Sequence, residues 1–303
     1  MTSAVNALQH GRESLRRHAR TFRVASWFLP QASRDDASLV YAYCRELDDA
    51  VDEAPNPEVA RVRVQLVERG EVAEAFREVA ARRGFAPGIA QHLVAGIQSD
   101  LGLVRIADDA ALLRYCYQVA GTVGVMMCGV LGVKEPCALP HAVDLGVGMQ
   151  LTNICRDVLE DARLGRVYLP ASRLHAVGLT QEQLLAGTAE PASLSRLVDG
   201  LLVLADRYYQ SADAGMPFIP ARSRLAIVVA SKHSRGIGVL LRRHHGSNPL
   251  HGRTRASFAD KVVGVCSALG FWFWMSLFWR SGSRPHERAL HQHLTQFPGV
   301  SVD

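Results

Sequence analysis

Residues 149 to 170 read MQLTNICRDVLEDARLGRVYLP, and their apolar spacing predicts a long helix that ends near Gly165. One stripe of this helix carries only amide and carboxylate side chains: Gln150, Asn153, Asp157 and Asp161. The other side carries the packing residues Leu151, Ile154, Val158 and Leu159. Amides and carboxylates on an otherwise apolar helix are costly to bury without partners. Mg²⁺ prefers oxygen ligands and is usually shared with substrate phosphates, so the pattern indicates a magnesium site, which Mn²⁺ would also fit.

A second acidic helix is predicted at YAYCRELDDAVDE, residues 41 to 53. Asp48 and Asp52 are one turn apart, and they share a face with Tyr41 and Arg45. An acidic run by itself is equally typical of a solvated face, since the repulsion costs only roughly 0.2–0.5 kcal/mol per pair. Two such helices facing each other across a bundle would build a metal site from rigid elements. Arg45 and Arg156 are then candidates to hold diphosphate oxygens.

The segment YCYQVAGTVGVMMCGVLG, residues 115 to 132, predicts an apolar pocket wall. A site with metal ions and arginines can ionise an allylic diphosphate, because both stabilise the departing anion. The carbocation that forms must then be kept from water, which requires an apolar wall. Gly121 and Gly124 would allow a neighbouring helix to approach closely. The predicted wall residues are Val119, Ala120, Val123 and Met127. A helix of this composition is also typical of a plain core, and that interpretation stays open.

Helical periodicity dominates the rest of the chain, and no alternating strand pattern or βαβ unit is visible. The predicted helices cover 4–20, 34–53, 58–84, 87–103, 108–131, 139–163, 180–187, 193–213, 222–245 and 257–280. No linker or repeat divides the sequence. We therefore expect one all-α domain over residues 1–303.

Composition excludes several classes of protein. Apolar residues make up 48% and charged residues 21%, which is ordinary for a globular protein. The net charge of +5 suits anionic substrates or an anionic membrane surface. The sequence has no Lys/Arg block with interleaved aromatic residues, so a nucleic-acid partner is not expected. The six cysteines form no C-x-x-C pair, and no secretory apolar region opens the chain. We expect reduced core cysteines and a cytoplasmic location.

Residues 262 to 279 read VVGVCSALGFWFWMSLFW, without a charge, between Lys261 and Arg280. At about 1.5 Å per residue, such a helix nearly spans a hydrocarbon core of roughly 30 Å. It is either the last buried helix of the domain or a membrane contact, because aromatic side chains with basic flanks suit a bilayer interface. The second interpretation would place the protein at the inner face of the cell membrane.

Taken together, these motifs resemble the squalene/phytoene synthase family over roughly residues 10 to 262. The resemblance is carried by HARTF (18–22), YAYCRELDDAVDE (41–53), YCYQVAGTVG (115–124), QLTNICRDVLEDARLGRVYLP (150–170) and RSRLAI (222–227), with a weaker GRT at 252–254. It implies an isoprenoid-synthase helical bundle with a central apolar cavity. The implied metal ligands are Asp48, Asp52, Asn153, Asp157 and Asp161. The implied diphosphate contacts are His18, Arg45, Gln150, Asn153, Arg156 and Arg253.

The same resemblance implies that Tyr41 and Tyr115 line the reaction centre, with Phe22 on the pocket wall. The family reaction ionises one diphosphate, couples the two chains through a cyclopropyl intermediate, then loses the second diphosphate with rearrangement. Residues 115–170 look most like bacterial phytoene synthases, which join two C20 geranylgeranyl diphosphates through prephytoene diphosphate without a reductant. No NADPH is therefore expected. Squalene, presqualene diphosphate and dehydrosqualene synthases, which use C15 farnesyl diphosphate, share these motifs and remain alternatives.

The sequence departs from the family pattern at Ser234, where many relatives carry the tyrosine of A-x-x-Y-R. The change puts catalytic efficiency or product identity in doubt, and His233 is a candidate substitute. Two other classes remain open. Head-to-tail prenyl transferases and terpene cyclases usually show D-D-x-x-D or N-S-E motifs, unlike the R-D-x-x-E-D found here, and non-catalytic relatives typically lose their carboxylates. Oligomeric state is not predicted.

Overall fold

The computed structural model describes residues 2–18, 26–252, 257, 264, 267–273 and 286–301. These residues form a helical bundle without a strand; an isolated bridge pairs Arg105 with Val167. The predicted all-α class is confirmed. The helices of eight or more residues, with two shorter ones, are α1 (Thr2–His18), α2 (Gln31–Asp52), α3 (Pro57–Arg69), α4 (Glu71–Arg83), α5 (Ile89–Gln98), α6 (Asp109–Cys116), α7 (Thr122–Leu131), α8 (Leu139–Arg163), α9 (Ala171–Ala176), α10 (Gln181–Leu185), α11 (Pro191–Gly215) and α12 (Ala221–His245).

Two predicted helices are interrupted. The prediction of one continuous helix over 58–84 is wrong. Gly70 is extended, with φ −79° and ψ 170°, and it separates α3 from α4. The helix expected over 108–131 contains a π-helical turn at Tyr117–Gly121, between α6 and α7. Such turns insert an extra residue and are frequent at functional sites. The chain also forms α9, which the sequence pattern did not predict.

Helix α8 lies at the centre of the bundle and packs against α7, α11 and α12. Its apolar side is fully buried at Val143, Val147 and Leu151. Glycines bring the backbones of the pocket-wall segment and α8 together. A Cβ on Gly124 would lie 2.2 Å from the Ala142 carbonyl oxygen, so this position has no room for a side chain. The close approach expected at Gly124 is confirmed, and it holds residues 119–127 beside the polar stripe of α8.

The C-terminal segment, residues 286–301, folds back onto the bundle. Leu290 and Leu294 are buried, and the Phe297 ring stacks on Tyr117 with centroids 4.5 Å apart. Of the apolar stretch 262–279, only residues 264 and 267–273 are described. In that part Ala268 is fully buried while Phe273 is 60% exposed. Among the described residues, no helix is both long enough and apolar enough to cross a bilayer.

Candidate active site

The two acidic helices predicted from the sequence meet at one pocket of about 230 Å³. Helix α2 contributes two carboxylates and α8 contributes its polar stripe, so side chains separated by about a hundred residues face the same space. The polar lining residues are Asp48, Asp52, Asp100, Tyr115, Gln150, Asn153, Asp157, Asp161, Arg166 and Tyr168. A short loop after α8 supplies the last two.

The carboxylates of this pocket repel one another and are poorly hydrated. Burial, and then the neighbouring Asp52 charge, raise the pKa of Asp48 to about 7. Burial, and then the neighbouring Asp157 charge, raise the pKa of Asp161 to about 7. Carboxylate and amide oxygens crowded on facing helices are the donors that a hard divalent cation takes, and a cation would relieve the repulsion. The donor set therefore fits a divalent metal.

The arginines are arranged differently from the sequence expectation. Arg45 pairs with Asp49 on its own helix, and neither residue lines the pocket. Arg156 likewise turns to its neighbour Asp157, with Nε donating to Oδ1 at 2.7 Å. Among the described residues, the arginine that lines the pocket is Arg166, whose Nη1 donates to Asp52 at 2.8 Å. It lies in the quoted GRVYLP motif, but no separate signal marked it as a site residue.

A half-buried carboxylate at Asp100 was missed by the sequence analysis. Its oxygens accept hydrogen bonds from the hydroxyls of Tyr115, at 3.0 Å, and Tyr168, at 2.7 Å. The two rings stack with centroids 4.9 Å apart. Burial, followed by the Asp100 charge, raises the pKa of Tyr115, so its hydroxyl stays a protonated donor. Asp100 follows α5 as a lone acid with no helical partner, which is why no periodic pattern revealed it.

A larger apolar cavity of about 410 Å³ adjoins the acidic pocket. Both are lined by Asp48, Gln150 and Asn153, together with Val119. The four residues expected on the pocket wall all line it: Val119, Ala120, Val123 and Met127. Tyr41 lines this cavity rather than the acidic pocket. The site is thus a charged mouth that opens into an apolar chamber.

Comparison with known proteins now gives the family. The squalene/phytoene synthase family model matches residues 15–260. This chain belongs to that family. A 15-cis-phytoene synthase from Enterobacter agglomerans is 36% identical over 271 residues, which cover 83% of this chain and 91% of the relative. A phytoene synthase from Thermus thermophilus is 40% identical over 233 residues, covering 74% and 79%.

The fold agrees with the family. The crystal structure of a dehydrosqualene synthase superposes with a TM-score of 0.77 at 22% identity, and the match covers 89% of this chain and 98% of that one. At that identity the likeness shows the isoprenoid-synthase fold alone. The expected bundle with its central apolar cavity is confirmed.

Some positions that the family resemblance singled out lie outside the described residues. These are Phe22, Arg253 and the side chain of His18, although the backbone of His18 ends α1. Ser234 is described and lines neither cavity. It is buried beside Tyr209, whose hydroxyl lies 3.1 Å from that of Thr152. The departure from the family pattern therefore lies behind α8, in the core.

Proposed function

We propose that this chain joins two geranylgeranyl diphosphates head to head to give phytoene, through prephytoene diphosphate and with release of two diphosphates. The observation that carries the proposal is the continuity between a carboxylate-lined pocket and an apolar cavity of about 410 Å³. A prenyl diphosphate has the same division, with a charged head and a long hydrocarbon tail. Relatives at 36% and 40% identity that bear the name phytoene synthase support the C20 substrate.

The cavity is oriented to hold a prenyl diphosphate with its hydrocarbon tail innermost and its diphosphate at the acidic pocket. Val119 lies at the junction with the acidic pocket, whereas Leu131 lines only the apolar cavity. Twelve helical residues separate them, which corresponds to about 18 Å along the wall at about 1.5 Å per residue. The tail would therefore run along Val123 and Met127 with its diphosphate between α2 and α8.

We infer that five side chains on two helices hold the metal, and that the metal is Mg²⁺, with Mn²⁺ as a substitute. They are Asp48, Asp52, Asn153, Asp157 and Asp161. Bound there, the ion would supply positive charge to stabilise a departing diphosphate. Arg166 offers a further cation at the same pocket, and Gln150, which lines both cavities, can orient the head group. Arg45 and Arg156 would contact diphosphate only after leaving their present carboxylate partners.

The other residues protect the cationic intermediates. Tyr115 and Tyr168 hold their hydroxyls toward Asp100, which leaves the stacked rings fixed at the edge of the pocket. Aromatic faces attract cations, by roughly 0.5–2 kcal/mol each. Tyr41 offers a third ring on the wall of the apolar cavity. The aliphatic wall excludes water, which would otherwise capture the carbocation.

A product assay tests the proposal. Purified full-length protein is incubated with Mg²⁺ and either geranylgeranyl or farnesyl diphosphate, with and without NADPH. We expect phytoene from the C20 substrate with no need for NADPH. A C30 product from farnesyl diphosphate alone would reassign the chain to squalene-type chemistry. Absence of diphosphate release from both substrates would reject an enzymatic role. The Asp157→Asn variant serves as the inactive control.

We also infer that the protein is cytoplasmic and touches the membrane peripherally, since its product dissolves only in lipid. Exposed Phe273 and Leu269, in the described part of the apolar stretch, support this contact. Co-flotation with phosphatidylglycerol vesicles should fall when Phe273 is changed to Ser. Equal flotation of both proteins would contradict the inference.

A further inference from the structure

A second cluster of metal-binding side chains lies away from the acidic pocket. Asp144 is on α8, thirteen residues before Asp157, and so lies about 20 Å from it along the helix. The other two members, His286 and His291, come from the C-terminal segment. Asp144 is completely buried and His291 is 3% exposed, while the side chain of His286 is 12% exposed.

The three side chains point their polar atoms at one another. Nε2 of His291 lies 2.7 Å from Oδ1 of Asp144, and Nε2 of His286 lies 2.9 Å from Oδ2. The two imidazole rings are also adjacent, with centroids 4.2 Å apart. All three ligand atoms fall within 4.8 Å of one another. Two imidazoles converging on one buried carboxylate, across more than 140 residues of sequence, make a specific long-range arrangement.

With a neutral ring, the hydrogen bonding of His291 does not close with protein groups alone. Its Nδ1 lies 3.3 Å from the carbonyl oxygen of Val300, and its Nε2 faces the Asp144 carboxylate. A neutral imidazole has one N–H and can donate to only one of these two acceptors. If Nδ1 donates to Val300, Nε2 presents a lone pair toward a carboxylate. Either a second proton on the ring or a metal ion between the two side chains removes this conflict, and a backbone carbonyl on the other nitrogen is the usual support for a metal-bound histidine.

The donor set selects the kind of metal. Two imidazole nitrogens and one carboxylate, with a fourth position left for water, are a common set for Zn²⁺. Mg²⁺ is disfavoured, because it prefers oxygen ligands. Zn–N and Zn–O bonds of about 2.0–2.2 Å in a tetrahedron place ligand atoms about 3.3 Å apart. His291 and His286 approach different oxygens of Asp144, at 2.7 and 2.9 Å, so a metal would be held through both carboxylate oxygens and each separation would widen by about 0.5 Å.

We propose that Asp144, His286 and His291 form a Zn²⁺ site that fastens the C-terminal segment to α8. Among the described residues, this segment has three other polar ties to the bundle. The Tyr117 hydroxyl donates to the Pro298 carbonyl and the Tyr208 hydroxyl to that of Leu290, both at 2.8 Å, and Arg207 pairs with Glu287 on the surface. Tyr117 opens the π-helical turn whose next residues line the apolar cavity. By fixing the C-terminal segment against Tyr117, the metal would therefore stabilise the π-helical turn that forms part of the cavity wall. The site is independent of the reaction assigned to the acidic pocket.

Metal binding is tested on the untagged full-length protein after chelator treatment. Zn²⁺ or Co²⁺ is titrated in excess Mg²⁺, which occupies the acidic pocket, and retained metal is measured after gel filtration. We expect one tightly bound Zn²⁺ and, with Co²⁺, a visible absorption typical of few-coordinate cobalt. Losing an outer-shell partner alone costs about 10–100-fold in affinity, so His291→Gln and His286→Gln should bind at least about 100-fold more weakly. His293→Gln, an exposed histidine of the same segment, should bind normally.

Limited proteolysis gives a second readout. Trypsin should cleave after the exposed Arg288 more slowly with Zn²⁺ than without it, and His286→Gln should abolish the difference. Because the side chain of His286 is more exposed than that of His291, 12% against 4%, this variant decides the question if His291→Gln fails to fold, as judged by circular dichroism. The proposal is overturned if wild-type protein retains no Zn²⁺ or Co²⁺. It is also overturned if folded His286→Gln protein binds metal as tightly as wild type.

Discussion

The length of the apolar cavity predicts how one substitution would change substrate preference. Ala37 lines the cavity on α2, eleven residues before Asp48 at the mouth, which is about 17 Å along the helix. Changing Ala37 to Phe places a ring in the far end of the chamber, where the last isoprene unit of a C20 tail would lie. The shorter C15 tail should still fit.

The expected fall in kcat/KM follows from the part of the C20 tail that no longer fits in the cavity. One isoprene unit has five carbons, and burial of each is worth about 0.8 kcal/mol, so exclusion of the unit costs about 4 kcal/mol. Each 1.4 kcal/mol is a factor of ten, so kcat/KM for geranylgeranyl diphosphate should fall by about 10³-fold. This is an upper bound, because partial rearrangement would recover some of the burial.

The assay is steady-state turnover of the C20 and C15 diphosphates by wild-type, Ala37→Phe and Ala32→Phe proteins. Ala32 is exposed on the same helix, so its variant controls for the added ring. We expect a large loss for the C20 substrate, little change for the C15 substrate, and no effect in the control. An equal loss for both substrates, with an unchanged melting temperature, would refute the assignment of the far end to the tail.

Three further predictions concern the acidic pocket and the helix contact. Asp157→Asn should lower turnover by at least about 10²–10³-fold while the circular dichroism spectrum stays native, because one carboxylate of the metal site is lost; near-normal turnover would contradict the metal assignment. Without divalent metal, the melting temperature should rise as pH falls from 8 toward 5, because Asp48 and Asp161 hold their protons more tightly when folded than unfolded; a flat profile would disprove this. Gly146→Ala should cost about 1–3 kcal/mol of stability, because its Cβ would meet a carbonyl oxygen at 2.3 Å. The control Gly236→Ala has open space around the new Cβ and should not destabilise the protein. Equal melting temperatures for the two variants would count against the tight packing at Gly146.

Periodicity made the helices and the acidic stripes readable from the sequence. Asp157 and Asp161 are one turn apart on α8, and their shared face follows from helical geometry alone. The facing helix α2 was readable for the same reason. The break at Gly70 was not, because a single glycine is compatible with a continuing helix until the packing of α3 and α4 is known.

Residues outside the regular helices escaped the sequence analysis. Asp100 and Arg166 lie in loops, where no repeat marks which way a side chain points. Their roles appear only when the fold brings them to the pocket. The contact of Asp144 with two histidines is similarly invisible, since those residues are 142 and 147 positions away. Long-range contacts of this kind depend on how the C-terminal segment folds back onto the bundle, and local helix propensity carries no information about that.

The most direct test of the account is a crystal structure of the protein with Mg²⁺ and an unreactive thio analogue of geranylgeranyl diphosphate. We predict that the diphosphate lies between Asp48 and Asp157, bridged by metal, and that the tail runs along Val123 and Met127. A diphosphate bound elsewhere, or a tail that leaves the apolar cavity empty, would contradict the assignment of head and tail on which the proposed function rests.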